Sequence, residues 1–367
     1  MHAVADRNNP ALPPLASLVP RARVPLILAG LSAAVGTAFV AVGCALSAPR
    51  YHGRESDHFD GERFRSMDPA ETGRGFLRWI LNRDRGPWRD RVDAPYAAKP
   101  AERVGGGAFR VTFVNHSSVL VQMDGVNVLT DPVWSNRVSP FTWVGPRRHR
   151  APGIRFEDLP PLDAVLVSHN HYDHMDVSTL RRLAAARPAP VFVGLGNASF
   201  LERERVPRAR DLDWWQSVQI GKGVTVTAVP ARHFSSRSPF DGNRTLWCGF
   251  VVSGPSGSWY FAGDTGWGSH FEAIARRFPD LRLAMLPIGA YRPRWFMSPV
   301  HIDPDAAVRA HEVLGARTSL AIHWGTFAQA DDGELEPVAD LEAALAVRPD
   351  PKPRFLVLEN GEAADVP

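Results

Sequence analysis

A mixed α/β fold, sheets layered with helices, is the class this sequence predicts, and three observations predict it. Short β-rich runs cluster first, between Phe109 and Leu129, with turn signals between them. Later strand-like runs alternate with helical patterns, which argues for sheets covered by helices. The chain has 367 residues, 44% hydrophobic and 22% charged, enough to bury a full core. Thirty Gly and 32 Pro without a period exclude collagen-like and repeat architectures.

Phe109 to Val114, Val119 to Met123 and Val126 to Leu129 read as antiparallel strands. Asp124-Gly125 between the last two suits a tight hairpin. Further strands are predicted at Ala164 to Val167, Val191 to Val193, Val224 to Val229, Leu246 to Val252, Trp259 to Ala262, Leu283 to Leu286, Leu320 to Ile322 and Phe355 to Leu358. Helices are predicted at Phe76 to Leu81, Val177 to Arg187, His270 to Phe278, Pro304 to Leu314 and Pro337 to Val347. Residues 131–162 form a long connection, and such connections are usually functional.

Ahead of the strands, residues 24–49 carry no charge and follow Arg21 and Arg23, which predicts a membrane segment with the bulk of the chain across the bilayer. Ala41-Val42-Gly43-Cys44 resembles a lipoprotein cleavage site, so signal anchor and lipoprotein both stand. The organisation read from this is an anchor over 1–49, a polar arm over 50–105 packing on the catalytic part, and a hydrolase domain over 106–367. The implied location is membrane-associated, in a bacterial cell envelope. All but Lys99, Lys222 and Lys352 of the 42 basic residues are arginines, and most are scattered among acids, so no nucleic-acid surface is read. Cys44 and Cys248 alone give neither a disulfide framework nor a cysteine zinc site.

The chemistry concentrates after the run Ala164 to Val167, in Ser168-His169-Asn170-His171-Tyr172-Asp173-His174. Two residues apart on extended backbone, His169 and His171 can point to one side, while Asp173 and His174 face a second point nearby. Neutral imidazoles with a carboxylate suit zinc, and four donors in six residues suit a binuclear site. His233, Asp264 and His323 each follow a predicted strand and complete the count, with Gly263 and Gly266 flanking Asp264. Asp131 is either an acceptor behind a ligand histidine or a turn-forming residue before Pro132. His116 divides the same way, between support for the centre and a structural role. His301 is either a contact to phosphate or leaving group or a turn histidine.

These motifs resemble the metallo-β-lactamase superfamily from about Ala108 to Glu359. Within it they resemble the N-acyl-phosphatidylethanolamine phospholipase D family and its bacterial relatives. The narrower likeness rests on Leu129-Thr130-Asp131-Pro132-Val133-Trp134, Gly145-Pro146-Arg147-Arg148, Leu212-Asp213-Trp214-Trp215, Asn243-Arg244-Thr245-Leu246-Trp247, Pro287-Ile288-Gly289-Ala290-Tyr291 and Ala321-Ile322-His323-Trp324-Gly325-Thr326. The resemblance implies an αββα sandwich with two zinc ions per chain. His169, His171 and His233 would hold one, Asp173, His174 and His323 the other, with Asp264 as the bridge. It further implies hydroxide generated between the ions, with Asp264, Asp173 and His301 at the reacting centre. β-Lactam hydrolysis is disfavoured by Asp264 standing where a cysteine would.

The implied activity is a phosphodiesterase of phospholipase D type on (N-acyl) phospholipids. Alternatives are a lactone or ester hydrolase of the same fold, or a lipid-binding protein with little turnover. Tyr172, Arg147, Arg148 and Trp295 are the candidate substrate contacts, because arginines beside aromatics suit a lipid surface. Packing of these loops on their own aromatics is the competing reading. The expected partners are a phospholipid or other phosphodiester and a membrane surface; a homodimer is left open.

Overall fold

Apolar strands and amphipathic helices assemble into two facing sheets. The computed structural model describes residues 36–68, 75–92, 96–221 and 223–367. The first sheet runs β14 (Ala363–Asp365), β1 (Phe109–Asn115), β2 (Ser118–Met123), β3 (Val126–Thr130), β4 (Ala164–Val167), β5 (Val191–Gly194), β6 (Ala209–Leu212). The second runs β13 (Phe355–Leu356), β12 (Thr318–Ile322), β11 (Leu281–Pro287), β10 (Gly257–Phe261), β9 (Gly249–Gly254), β8 (Val224–Val229), β7 (Ser217–Gly221). Each sheet is antiparallel in one half and parallel in the other: β3 to β6 are parallel in the first, β10 to β13 in the second.

The strands of the first sheet are apolar on both faces because both faces are covered. Val111, Phe113, Val121, Leu166 and Phe192 join a core shared with the second sheet. Their neighbours Val114, Leu120, Leu129, Val165 and Val193 pack with Leu180 and Leu183 of α2 (Val177–Ala186) and Phe200 of α3 (Asn197–Arg203). On the far side, α6 (Pro304–Leu314) lies against β11, flanked by α4 (His270–Arg277) and α7 (Glu336–Ala346). Local chemistry agrees with these bounds. The α2 N-cap Asp176 accepts from Thr179 N–H, and α6 has N-cap Asp303, Pro304 at its start and Gly315 as a left-handed cap. Asp124 and Gly125 take φ 53° and 71°, the conformation the hairpin required.

The elements depart from the sequence reading in places with physical reasons. β9 starts at Gly249 rather than Leu246, because the N–H groups of Leu246 and Cys248 donate to Leu195 and Ser168 carbonyls at the ends of the first sheet. The strands β6, β7 and β14, and the helices α3 and α5 (Arg294–Met297), were not anticipated.

The chain divides into Met1–Ala45 and Leu46–Pro367, slightly before the expected boundary at 49. Residues 24–35 of the charge-free run lie outside the described residues, and residues 36–46 are helical. Among the described residues no helix is long and apolar enough to cross a membrane. The arm that follows packs on the body. Phe59 and Phe64 are buried, and His58 stacks on Trp214 with its Nε2 2.8 Å from Asp213 Oδ1. Further along, α1 (Phe76–Leu81) is tied down by the Trp79 indole N–H donating to Asp331 at 3.1 Å.

Candidate metal centre and cavity

The expected donors converge at the ends of strands from both sheets. Parallel pairing of β3 with β4, Thr130 beside Leu166, brings Asp131 next to the Ser168–His174 turn. His233 follows β8, Asp264 follows β10 and His323 follows β12. Gly263 sits at φ 60°, and a Cβ there would come within 2.5 Å of the Ser168 side chain, so only glycine lets the two turns meet this closely.

His169 Nε2 and His171 Nδ1 are 2.8 Å apart, and His171 Nδ1 and His233 Nε2 are 3.3 Å apart. A second group forms where His174 Nε2 and His323 Nε2 lie 3.1 and 3.3 Å from Asp173 Oδ2. Asp264 Oδ2 stands 3.2 Å from both of those nitrogens and 3.8 Å from His233 Nε2, so one oxygen faces both groups.

The hydrogen bonds behind the imidazoles fix which nitrogens point inward. His233 Nδ1 donates to the Val300 carbonyl at 3.0 Å, and His174 Nδ1 donates to Asp131 Oδ2 at 2.6 Å. Their Nε2 lone pairs are thereby left facing the centre, and buried His174 Nε2 and Asp264 Oδ1 have no hydrogen-bond partner. Burial pushes His169 and His233 well below the ordinary imidazole range, with neighbouring histidines adding to the fall, so both are neutral donors. Asp173 and Asp264 stay well below the usual carboxylate range although burial opposes it, because His174 faces each of them. Neutral nitrogens, ionised carboxylates and orphaned atoms aimed at one point fit metal cations.

Asp131 and His116 both sit behind the centre. Besides His174, the Asp131 carboxylate accepts from Ser168 Oγ at 2.6 Å and Ser168 N–H at 2.7 Å. His116 Nε2 lies 2.9 Å from Asp173 Oδ2. His116, Asp131 and His323 all have positive φ, backbone strain of the kind that collects at functional sites.

The cluster forms one wall of a cavity of about 370 Å³. Phe76 and Trp79 of α1, Phe296 and Met297 of α5, Phe234 and Val300 supply apolar walls, and Trp79 stacks on Phe296 with centroids 4.8 Å apart. His301 lines it too, its Nδ1 3.9 Å from Asp264 Oδ2 and without a hydrogen-bond partner.

The four expected substrate contacts are not brought to this cavity. The Tyr172 hydroxyl donates to the Arg237 carbonyl at 2.8 Å, away from the lining residues. Arg147 is exposed on the 131–162 segment, and Trp295 is exposed beside α5 with the Arg78 guanidinium 4.8 Å over its ring. Arg148, expected at the surface, is buried. Its guanidinium donates to Val133 O at 2.9 Å, Asn115 Oδ1 at 3.0 Å and Ser135 O at 3.1 Å, and lies over Phe327. It fastens the long loop to β1. Arg148→Gln is therefore expected to destabilise the protein by about 2 to 4 kcal/mol through stranded carbonyls, without a selective loss on vesicle-borne substrate. An unchanged denaturation midpoint would contradict that role. Sequence reading missed Ser168, Trp79 and Gln329 as site residues. Only Ser168 carried a signal, its place inside the histidine motif.

The family description "Beta-lactamase superfamily domain" matches residues 126–324, spanning every donor from His169 to His323. The chain belongs to the metallo-β-lactamase superfamily. Among its relatives in that superfamily is the Caenorhabditis elegans protein named N-acyl-phosphatidylethanolamine-hydrolyzing phospholipase D 1, 39% identical over 263 residues, which are 68% of this chain and 74% of that protein. An uncharacterised Mycobacterium bovis protein is 38% identical over 83% of this chain and 84% of its own length. Solved structures share the metallo-β-lactamase fold at lower identity. An isothiocyanate hydrolase from Delia radicum gut bacteria has TM-score 0.56 and 20% identity, over 70% of this chain and 99% of its own. A metallo hydrolase from Ignicoccus hospitalis has TM-score 0.51 and 21% identity, over 71% and 99%. As a member of this superfamily the protein is a metal-dependent hydrolase.

Proposed function

We propose that the protein is a dizinc phosphodiesterase of phospholipase D type, acting on phospholipids and in particular on N-acylated headgroups. The observation that carries this reading is the donor cluster forming one wall of an otherwise apolar cavity, a site for a charged phosphodiester attached to acyl chains. The name of the Caenorhabditis elegans relative supports the same substrate class.

His169, His171 and His233 would hold one zinc, Asp173, His174 and His323 the other, with Asp264 between them. Such a pair supplies hydroxide at neutral pH and offsets charge on a phosphoryl oxygen. Asp131 holds His174 in the tautomer that leaves Nε2 free, and His116 holds the Asp173 carboxylate in place. His301, facing the cavity, is the group suited to pass a proton to the departing headgroup oxygen. Water adds to phosphorus, the bond from phosphorus to the headgroup oxygen breaks, and phosphatidic acid and the free alcohol result. Phe76, Leu77, Leu81 and Trp295 expose apolar surface at the α1 edge of the cavity, which supports entry from a lipid surface. The charge-free run at 24–49 would keep the protein membrane-associated in a bacterial envelope.

The test is a panel of phospholipids, small phosphodiesters and lactones, with metal analysis on the same sample. Zinc-dependent release of phosphatidic acid is expected. Lactone turnover with every phosphodiester inert would replace this reading with the ester hydrolase alternative.

A further inference from the structure

One polar side chain on the cavity wall has no part in the metal centre. Gln329 lines the cavity, and its Oε1 is buried with no hydrogen-bond partner. The other lining groups are the donors, His301 and apolar side chains, and the Trp79 indole is already spent on Asp331. A buried acceptor without a donor is costly unless a ligand satisfies it.

The backbone that carries Gln329 is held on both sides. Upstream, Thr326 O accepts from His149 N–H at 2.9 Å and Phe327 lies under the Arg148 guanidinium. Downstream, Ala330 O accepts from Arg83 Nη2 at 2.6 Å, and Asp331 N–H donates to Arg292 O at 3.0 Å. The carboxamide therefore meets a ligand without rearrangement of its loop, the condition under which a single hydrogen bond discriminates.

The surroundings choose the kind of donor. The only carboxylates on the wall, Asp173 and Asp264, face His174 and His323, so nothing is left to pair with a free ammonium headgroup, and a buried unpaired charge is strongly disfavoured. A trimethylammonium group offers no donor at all. A neutral amide N–H satisfies the acceptor and lets its acyl chain run along Trp79 and Phe296.

We propose that the Gln329 carboxamide accepts the amide N–H of the alcohol moiety and so selects N-acylated over free-amine headgroups. This rests on the phosphodiester reading above, and its test does not need turnover. Calorimetric binding of N-hexanoylethanolamine and of its ester isostere, ethylene glycol monohexanoate, is measured on the metal-loaded full chain, on Gln329→Leu and on Gln329→Glu. The unmutated protein is expected to prefer the amide by roughly tenfold, the scale of one buried acceptor left unpaired. Gln329→Leu should bring that ratio near one, and Gln329→Glu, which keeps an acceptor, should retain a preference. Equal ratios in the unmutated protein and Gln329→Leu, or no preference in the unmutated protein, would overturn the assignment. A retained amide preference with no hydrolysis of any phosphodiester counts against the proposed activity and leaves this binding role standing.

Discussion

Asp264→Ala is expected to strip metal from both positions, taking content from about two ions per chain to near zero, because two-metal sites depend on their bridge. Its Oδ2 lies 3.2 Å from His174 Nε2 and His323 Nε2 and 3.8 Å from His233 Nε2, so a single oxygen serves both donor groups. Hydrolysis should fall by at least about a thousandfold, beyond the loss of one transition-state donor. His323→Ala makes the contrast. His323 meets Asp173 and Asp264 but not the trio of His169, His171 and His233, so it should empty mainly one position. Metal content by plasma mass spectrometry, read beside the melting profile, separates the two outcomes. Full occupancy in Asp264→Ala, or no metal in the unmutated protein, would defeat the bridging role.

Replacing Asp131 by Asn should weaken metal affinity by about 10- to 100-fold, the usual cost of losing the partner behind a ligand histidine. The residue is fully buried, and its carboxylate receives three donors: His174 Nδ1–H, Ser168 Oγ–H and Ser168 N–H. An Asn amide must turn its own NH₂ toward one of them, so either His174 loses its tautomer or the Ser168 turn shifts. Asp131→Gly separates charge from backbone, since φ 30° suits glycine better than aspartate. If Gly binds metal as weakly as Asn, the carboxylate is responsible. A chelator titration measures both, and an unchanged midpoint in Asp131→Asn would rule the tie out.

The donors were legible because each follows a strongly apolar strand, and strand ends are where two sheets bring loops together. Asp131 was ambiguous from sequence, since its partner His174 lies 43 positions away and only the pairing of β3 with β4 joins them. Arg148 misled for a related reason. Its main partners are backbone carbonyls, which every residue carries, so its burial leaves no trace in residue types. The edge strands β6 and β7, Ala-Arg-Asp-Leu and Ser-Val-Gln-Ile-Gly, are short and half exposed, and their pairing is dictated by neighbouring strands. The cavity walls were hidden too, because Trp79 comes from the arm and meets Phe296 across more than two hundred residues.

The donor set is split between the sheets, with His169, His171, Asp173 and His174 on one and His233, Asp264 and His323 on the other. Filling the centre and keeping the halves docked are then one equilibrium. At a thousandfold excess over its dissociation constant, a bound ion adds about 4 kcal/mol to the folded state. A metal-starved cell would lose more than turnover: the halves would part more often, baring Phe113, Phe192 and Trp259 to proteases. Protein abundance, and with it the lifetime of the enzyme in the envelope, would follow the zinc supply.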